Sequence, residues 1–87
     1  MSEYSLTILT PEKEVFNGMV QAAVCPTIDG NIEILKGHQN LVAALEDKEI
    51  RIKVKSEWIT FSIEDGFAEV RPDGTVIFVT YCEKITE

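Results

Sequence analysis

One histidine, two cysteines, one tryptophan and eight basic residues are all that this 87-residue chain offers to several kinds of chemistry. Each scarcity removes a class of function. Cys25 and Cys82 stand far apart with no histidine or cysteine beside either, so they form no zinc-ligand spacing and do not resemble a disulfide framework. Both read as reduced, largely buried thiols. A lone His38 with scattered carboxylates makes no metal site, and no Ser or Cys nucleophile sits in a recognisable elbow. No glycine loop of the phosphate-binding kind is present, so the chain reads as non-catalytic, with no cofactor and no metal. Fifteen acids against eight bases give a formal charge of −7, which disfavours nucleic acid as a partner because phosphates would be repelled. No apolar run approaches the ~20 residues of a spanning helix, and the start Met1-Ser2-Glu3-Tyr4 lacks the basic and apolar parts of a secretory signal. These features point to a protein kept in the cytoplasm with no membrane insertion.

What is present is a balanced globular composition, 45% hydrophobic and 26% charged. A chain of this size buries only roughly 60–65% of its unfolded surface, enough for one core, so residues 1–87 read as a single domain. Alternation over residues 4–10 places Leu6 and Ile8 on one face before Pro11 stops the strand. Residues 11–14 can turn the chain, and Asn17-Gly18 is a signal for a tight hairpin turn. Residues 19–25 read as the returning strand, with Val20, Ala22 and Val24 on one face. Thr27-Ile28-Asp29-Gly30 reads as a loop, and residues 32–35 as a brief strand closed by Gly37.

Residues 41–45 suit a helical turn or a strand, and their neighbours favour strand. Residues 48–55 alternate without a break, Ile50, Ile52 and Val54 against Arg51, Lys53 and Lys55, as a half-exposed antiparallel strand requires. Strands over 58–63, 67–71 and 76–81 follow, separated by turn signals at Asp65-Gly66 and Pro72-Asp73-Gly74. The last is the most apolar and is expected to be central. Turn signals every 8–12 residues, with no helical pattern of three turns, predict an all-β sandwich or barrel.

Three features call for a functional and a bland reading side by side. The stripe Lys48, Arg51, Lys53, Lys55 reads as a docking surface for an anion or as a strand face charged against edge pairing, with the second favoured. Trp58, on the face opposite Phe61, reads as an anchor for a partner or as a cap on the core. The pairs Glu46-Asp47 and Glu64-Asp65 stand beside turns and read as solvated.

Four separated motifs carry a resemblance that covers nearly the whole chain. They are Leu9-Thr10-Pro11-Glu12-Lys13-Glu14-Val15-Phe16-Asn17-Gly18, then Gly30-x-Ile32-x-Ile34-Leu35-x-Gly37-His38-x-x-Leu41, then Ile50-Arg51-Ile52, and Asp65-Gly66-Phe67-Ala68-Glu69-Val70. In order and spacing they resemble the epsilon subunit of the F-type ATP synthase. That resemblance implies a β-sandwich of about ten strands in two sheets. It implies a non-catalytic central-stalk subunit of a hetero-oligomeric complex, which clasps the gamma subunit and rests on the polar loops of the c-ring to couple proton-driven rotation to ATP synthesis. It also implies a peripheral place on the cytoplasmic face of the bacterial inner membrane.

Carried over by position, His38, Gln39, Leu41, Val42 and Ala43 match the family's gamma-facing surface. The loop 27–33 is similar to the c-ring contact, which assigns Ile28, Asp29, Gly30, Asn31 and Glu33 to that role. The chain departs from the family in three places. Asn31 stands where an acidic residue is usual and Glu33 where a glycine is usual, as though the carboxylate had moved two places along one strand face. The C-terminal helical hairpin that usually follows the sandwich, linked to inhibition of ATP hydrolysis, has no counterpart in these 87 residues. Two other readings fit an all-β unit of this length: a stand-alone interaction module, or a lipoyl- or biotinyl-type carrier with Lys36 as the modified residue.

Overall fold

The computed structural model describes residues 2–85, and every element in them is a strand. In chain order these are β1 (Tyr4–Leu9), β2 (Glu14–Val20), β3 (Ala22–Thr27), β4 (Gly30–Ile34), β5 (Leu41–Leu45), β6 (Glu49–Val54), β7 (Glu57–Arg71) and β8 (Gly74–Lys84). Neighbours hydrogen-bond in the order β2-β1-β8-β7-β5-β3-β4, with β6 between β3 and β7.

This single ladder doubles over into a sandwich because β7 and β8 run through both layers. The first part of β7 pairs with β6 (Glu49↔Ser62 to Val54↔Glu57), and its last part pairs with β5 (Leu41↔Val70 to Leu45↔Gly66). Layer one is therefore β2, β1, the start of β8, the end of β7, and β5. Layer two is β4, β3, β6, the start of β7 and the end of β8.

The expected count of about ten strands is corrected to eight. Residues 58–63 and 67–71 are one strand, not two, because Asp65-Gly66 bends the ladder without ending it. Register steps from Glu64↔Tyr81 to Gly66↔Val79, leaving Asp65 unpaired with φ of 47°. Its amide instead donates to Asp47 Oδ1 at 2.8 Å. Gly66 is required here, since a Cβ would sit 1.9 Å from the Phe78 carbonyl oxygen.

Asn17-Gly18 is not a hairpin turn; it lies inside β2, paired with Thr7 and Leu6. The turn forms earlier, where Pro11 fixes the backbone and Thr10 N donates to Lys13 O at 2.9 Å. Pairing with β1 outweighs the local turn preference. The returning strand also breaks, at Gln21, where the chain crosses from layer one to layer two and its side-chain parity reverses. Ala23 and Cys25 consequently face the core, and Val24 turns outward.

Alternation elsewhere held. Leu6, Ile8, Ile50 and Ile52 are fully buried, Phe61 and Ile63 nearly so, and Ile77 and Val79 of β8 lie between them in the interior of the sheet. Residues 41–45 form a strand, as their neighbours indicate. Both cysteines are free thiols. Burial pushes Cys25 up to about 12 and Cys82 up to about 11, so neither is a ready nucleophile.

Candidate interaction surfaces

Two surfaces and one loop gather the residues singled out by sequence. The first is the hairpin between β3 and β4. Thr27 pairs with Gly30, which leaves Ile28 and Asp29 as a two-residue turn. Thr27 Oγ1 donates to Gly30 O at 2.6 Å and accepts from Asp29 N at 3.2 Å, and Gly30 adopts φ of 107°, so the tip is braced from within. Ile28 is 78% exposed at that tip.

Past the tip, Asn31 and Glu33 are exposed while Ile34 is buried and Ile32 packs against the core. Residues 31 and 33 thus share the outward side of β4, as an extended stretch requires. Glu33 lies in regular strand and not at a positive φ, so a side chain costs nothing there. The far end of β4 is held by Tyr4, whose hydroxyl donates to Ile34 O at 2.6 Å. Burial, with Cys25 and Glu33 nearby, pushes the Tyr4 phenol well above its ordinary range and keeps it a donor.

The gamma-facing set of the sequence divides. Val42 is 67% exposed on the outer side of β5. Leu41 turns the other way and packs against the core, and Ala43 shares its side of the strand. His38 and Gln39 belong to the loop before β5, where the half-buried His38 donates from Nδ1 to Gln39 O at 2.8 Å. This loop and the Pro72-Asp73 turn border a cleft of 290 Å³ at one end of the sandwich.

Register shows what sequence reasoning missed. Ala44 is opposite Phe67, Phe67 opposite Phe78, and Phe78 opposite Leu9, so one apolar row crosses four strands of layer one on its outer side. The next row holds Val42, Glu69, Val76 and Thr7. Phe67 is 41% exposed, and its ring stacks on Phe78 with centroids 5.1 Å apart. A polar edge borders the patch, where Arg71 Nη2 meets Glu69 Oε1 at 2.8 Å and that hydrogen bond lowers the Glu69 carboxyl below its ordinary range. An outward aromatic row of this kind breaks the alternation of β7, where Ala68 and Val70 already fill the core side. Phe67 carried that signal in the sequence.

The family model described as ATP synthase, Delta/Epsilon chain, beta-sandwich domain matches residues 3–85. The chain belongs to this family. Curated relatives of the delta/epsilon sandwich include the ATP synthase epsilon chain of Prochlorococcus marinus (strain MIT 9301), 33% identical over 79 residues, which covers 91% of this chain and 59% of the relative. The epsilon chain of Dehalococcoides mccartyi (strain CBDB1) is 36% identical over 87 residues, covering all of this chain and 62% of the relative. The chain thus spans about 60% of the length of these relatives.

The fold recurs in a Euglena gracilis mitochondrial ATP synthase structure containing OSCP, F1 and c-ring, with TM-score 0.90 and 20% identity, over 97% of this chain and 54% of that one. A central stalk and c-ring structure from Tetrahymena thermophila matches with TM-score 0.79 and 18% identity, over 94% of this chain and 66% of that one. Among the described residues no group of three or more His, Cys, Asp or Glu is placed to hold a metal.

Proposed function

We propose that this delta/epsilon sandwich serves as a non-catalytic central-stalk subunit of an F-type ATP synthase, docking the gamma subunit through layer one and the c-ring through the β3–β4 hairpin. The observation that carries this reading is the outward apolar row Ala44, Phe67, Phe78 and Leu9 beside Val42. Aliphatic and aromatic area of this kind gains roughly 25 cal/mol per Å² on leaving water, before the costs of association. A polar rim supplied by the Glu69–Arg71 pair fits the anatomy of a lasting protein interface. His38 and Gln39 extend that surface at the end of β5, while Leu41 and Ala43 act beneath it by setting the strand's position.

The hairpin tip, with Ile28, Asp29, Gly30, Asn31 and Glu33, presents an acidic outward edge to the polar loops of the ring. The coupled assembly would place the domain at the cytoplasmic face of the inner membrane, with no segment of its own in the bilayer. No helix among the described residues is long and apolar enough to cross a membrane.

Size-exclusion chromatography with the gamma subunit from the same source tests the stalk reading. A one-to-one complex is expected, and a folded chain that elutes alone would refute it, favouring a stand-alone interaction module. The ring contact has its own test in Glu33→Gln. In reconstituted complexes this variant is expected to lower proton-coupled ATP synthesis while gamma still co-elutes, and unchanged coupling would remove Glu33 from the contact.

A further inference from the structure

The basic stripe on β6 has lost its expected explanation. β6 is not an edge: it pairs with β3 on one side and β7 on the other, so its charges protect no open ladder. Lys48 meets Glu46 at 3.2 Å, and Lys55 lies in the turn after β6. Arg51 and Lys53 remain, pointing outward two residues apart. The Arg51 guanidinium carbon is 5.1 Å from the Trp58 ring centroid, and Lys53 Nζ is 5.8 Å from it.

Among the described residues neither cation has a carboxylate partner, although the chain carries a net charge of −7. Glu33 shares the Arg51 rung two strands away, and Glu49 stands two positions back along β6; neither closes an ion pair. Apolar side chains flank the two cations among polar ones: Glu49, Glu57 and Lys84 line the Arg51 side, and Glu33 and Lys36 the Lys53 side. Trp58, 44% exposed, is directly opposite Lys53, and half-exposed Leu35 borders the same 300 Å³ cleft. Ile85 continues the Arg51 rung, its amide bonded to Thr60 O.

We propose that this outer face of layer two docks an acidic, amphipathic segment of a partner protein, with its carboxylates on Arg51 and Lys53 and its apolar side chains against Trp58, Leu35 and Ile85. Charge complementarity identifies the occupant. Two cations without partners on an otherwise acidic protein select a local negative charge, and flanking apolar groups select a peptide over a bare phosphate. Stacking on the indole holds both cations over one ring before the partner arrives, which limits the ordering cost of binding. Tryptophan and arginine are also the side chains most enriched at binding hot spots. This surface lies on the opposite layer from the Phe67 row and does not rest on gamma docking there, while its β4 edge adjoins Glu33 of the proposed ring contact.

Trp58 is the chain's single tryptophan, so its fluorescence reports on the face directly. The probe is a blocked hexapeptide of alternating Glu and Leu, titrated into the whole chain at low salt, with calorimetry as a second readout. A saturable change is expected, weakened by about tenfold or more in Arg51→Gln/Lys53→Gln and by added salt, and retained in Val42→Asp on the other layer. Far-UV circular dichroism verifies the fold, and Lys53→Gln alone replaces the double variant if that one melts. No saturable change, an equal response to the Lys–Leu counterpart, or binding indifferent to the double variant would overturn the proposal. Stronger response to phosphatidylglycerol vesicles than to the peptide would also overturn it, in favour of an anionic lipid surface.

Discussion

Phe67→Asp is expected to weaken binding of the gamma subunit by about 100-fold or more, roughly 3 kcal/mol, while leaving the sandwich folded. Phe67 occupies the centre of the outward row, with Ala44 on one side and Phe78 on the other. A carboxylate there would have to be stripped of water against an apolar partner with no cation to meet it. The fold tolerates the change because Phe67 faces away from the core and is 41% exposed. Only its stacking on Phe78 is lost, about 1 kcal/mol of stability. Calorimetric titration with the gamma subunit measures the effect. Arg51→Gln, on the outer face of layer two, serves as a control expected to bind as the wild type does. Unchanged affinity in Phe67→Asp would remove the apolar row from the interface and leave the loop at His38 and Gln39 as the remaining candidate.

Gly66→Ala is expected to destabilise the fold by more than about 3 kcal/mol, a large share of the roughly 5–15 kcal/mol typical of a domain. The added methyl would lie 1.9 Å from Phe78 O and 2.7 Å from Val79 Cα, and both obstacles are backbone. Relief requires parting β7 from β8 at the point where both cross between layers. Gly30→Ala provides the contrast, because a Cβ at Gly30 meets nothing within 4 Å and only the φ of 107° resists it. That strain is worth about 1–2 kcal/mol. Thermal melts should place Gly66→Ala roughly 12–24 °C or more below the wild type. Equal melting temperatures for the two alanine variants would show that the ladder opens at little cost.

These two positions also mark how far the sequence could be read. Residues 48–55 disclosed β6 to within one residue at each end, because strict alternation with a buried Ile50 and Ile52 has one solution. Leu6 and Ile8 did the same for β1. Asn17-Gly18 misled because turn preference is local, while pairing of β2 with β1 is settled by the whole sheet. Asp65-Gly66 misled in the opposite sense: the same dipeptide chemistry that ends a strand can bend one, and only the crowding at Phe78 O tells them apart. At the candidate surfaces, the turn at residues 27–30 was legible in the sequence, but the division of Val42 from Leu41 and Ala43 across the two sides of β5 was not. Phe67 and Phe78 were visible as apolar residues, yet their meeting across β7 and β8 depends on a register that no short window contains.

Pairing of β1 with β8 has a consequence for how the chain reaches this state. The two strands run parallel, Leu6 beside Thr75 and Ile8 beside Ile77, so β1 waits for a strand synthesised about seventy residues later. Until β8 emerges, β1 and β2 form a lone hairpin, which is marginal in water, and the end of β7 lacks one neighbour. Closure joins segments about seventy residues apart in sequence, and contacts of that range slow folding towards the millisecond-to-second regime of β-sandwiches. Folding is therefore completed only after residues 74–84 have left the ribosome, and the unpaired β1–β2 hairpin is the segment exposed to aggregation during that interval.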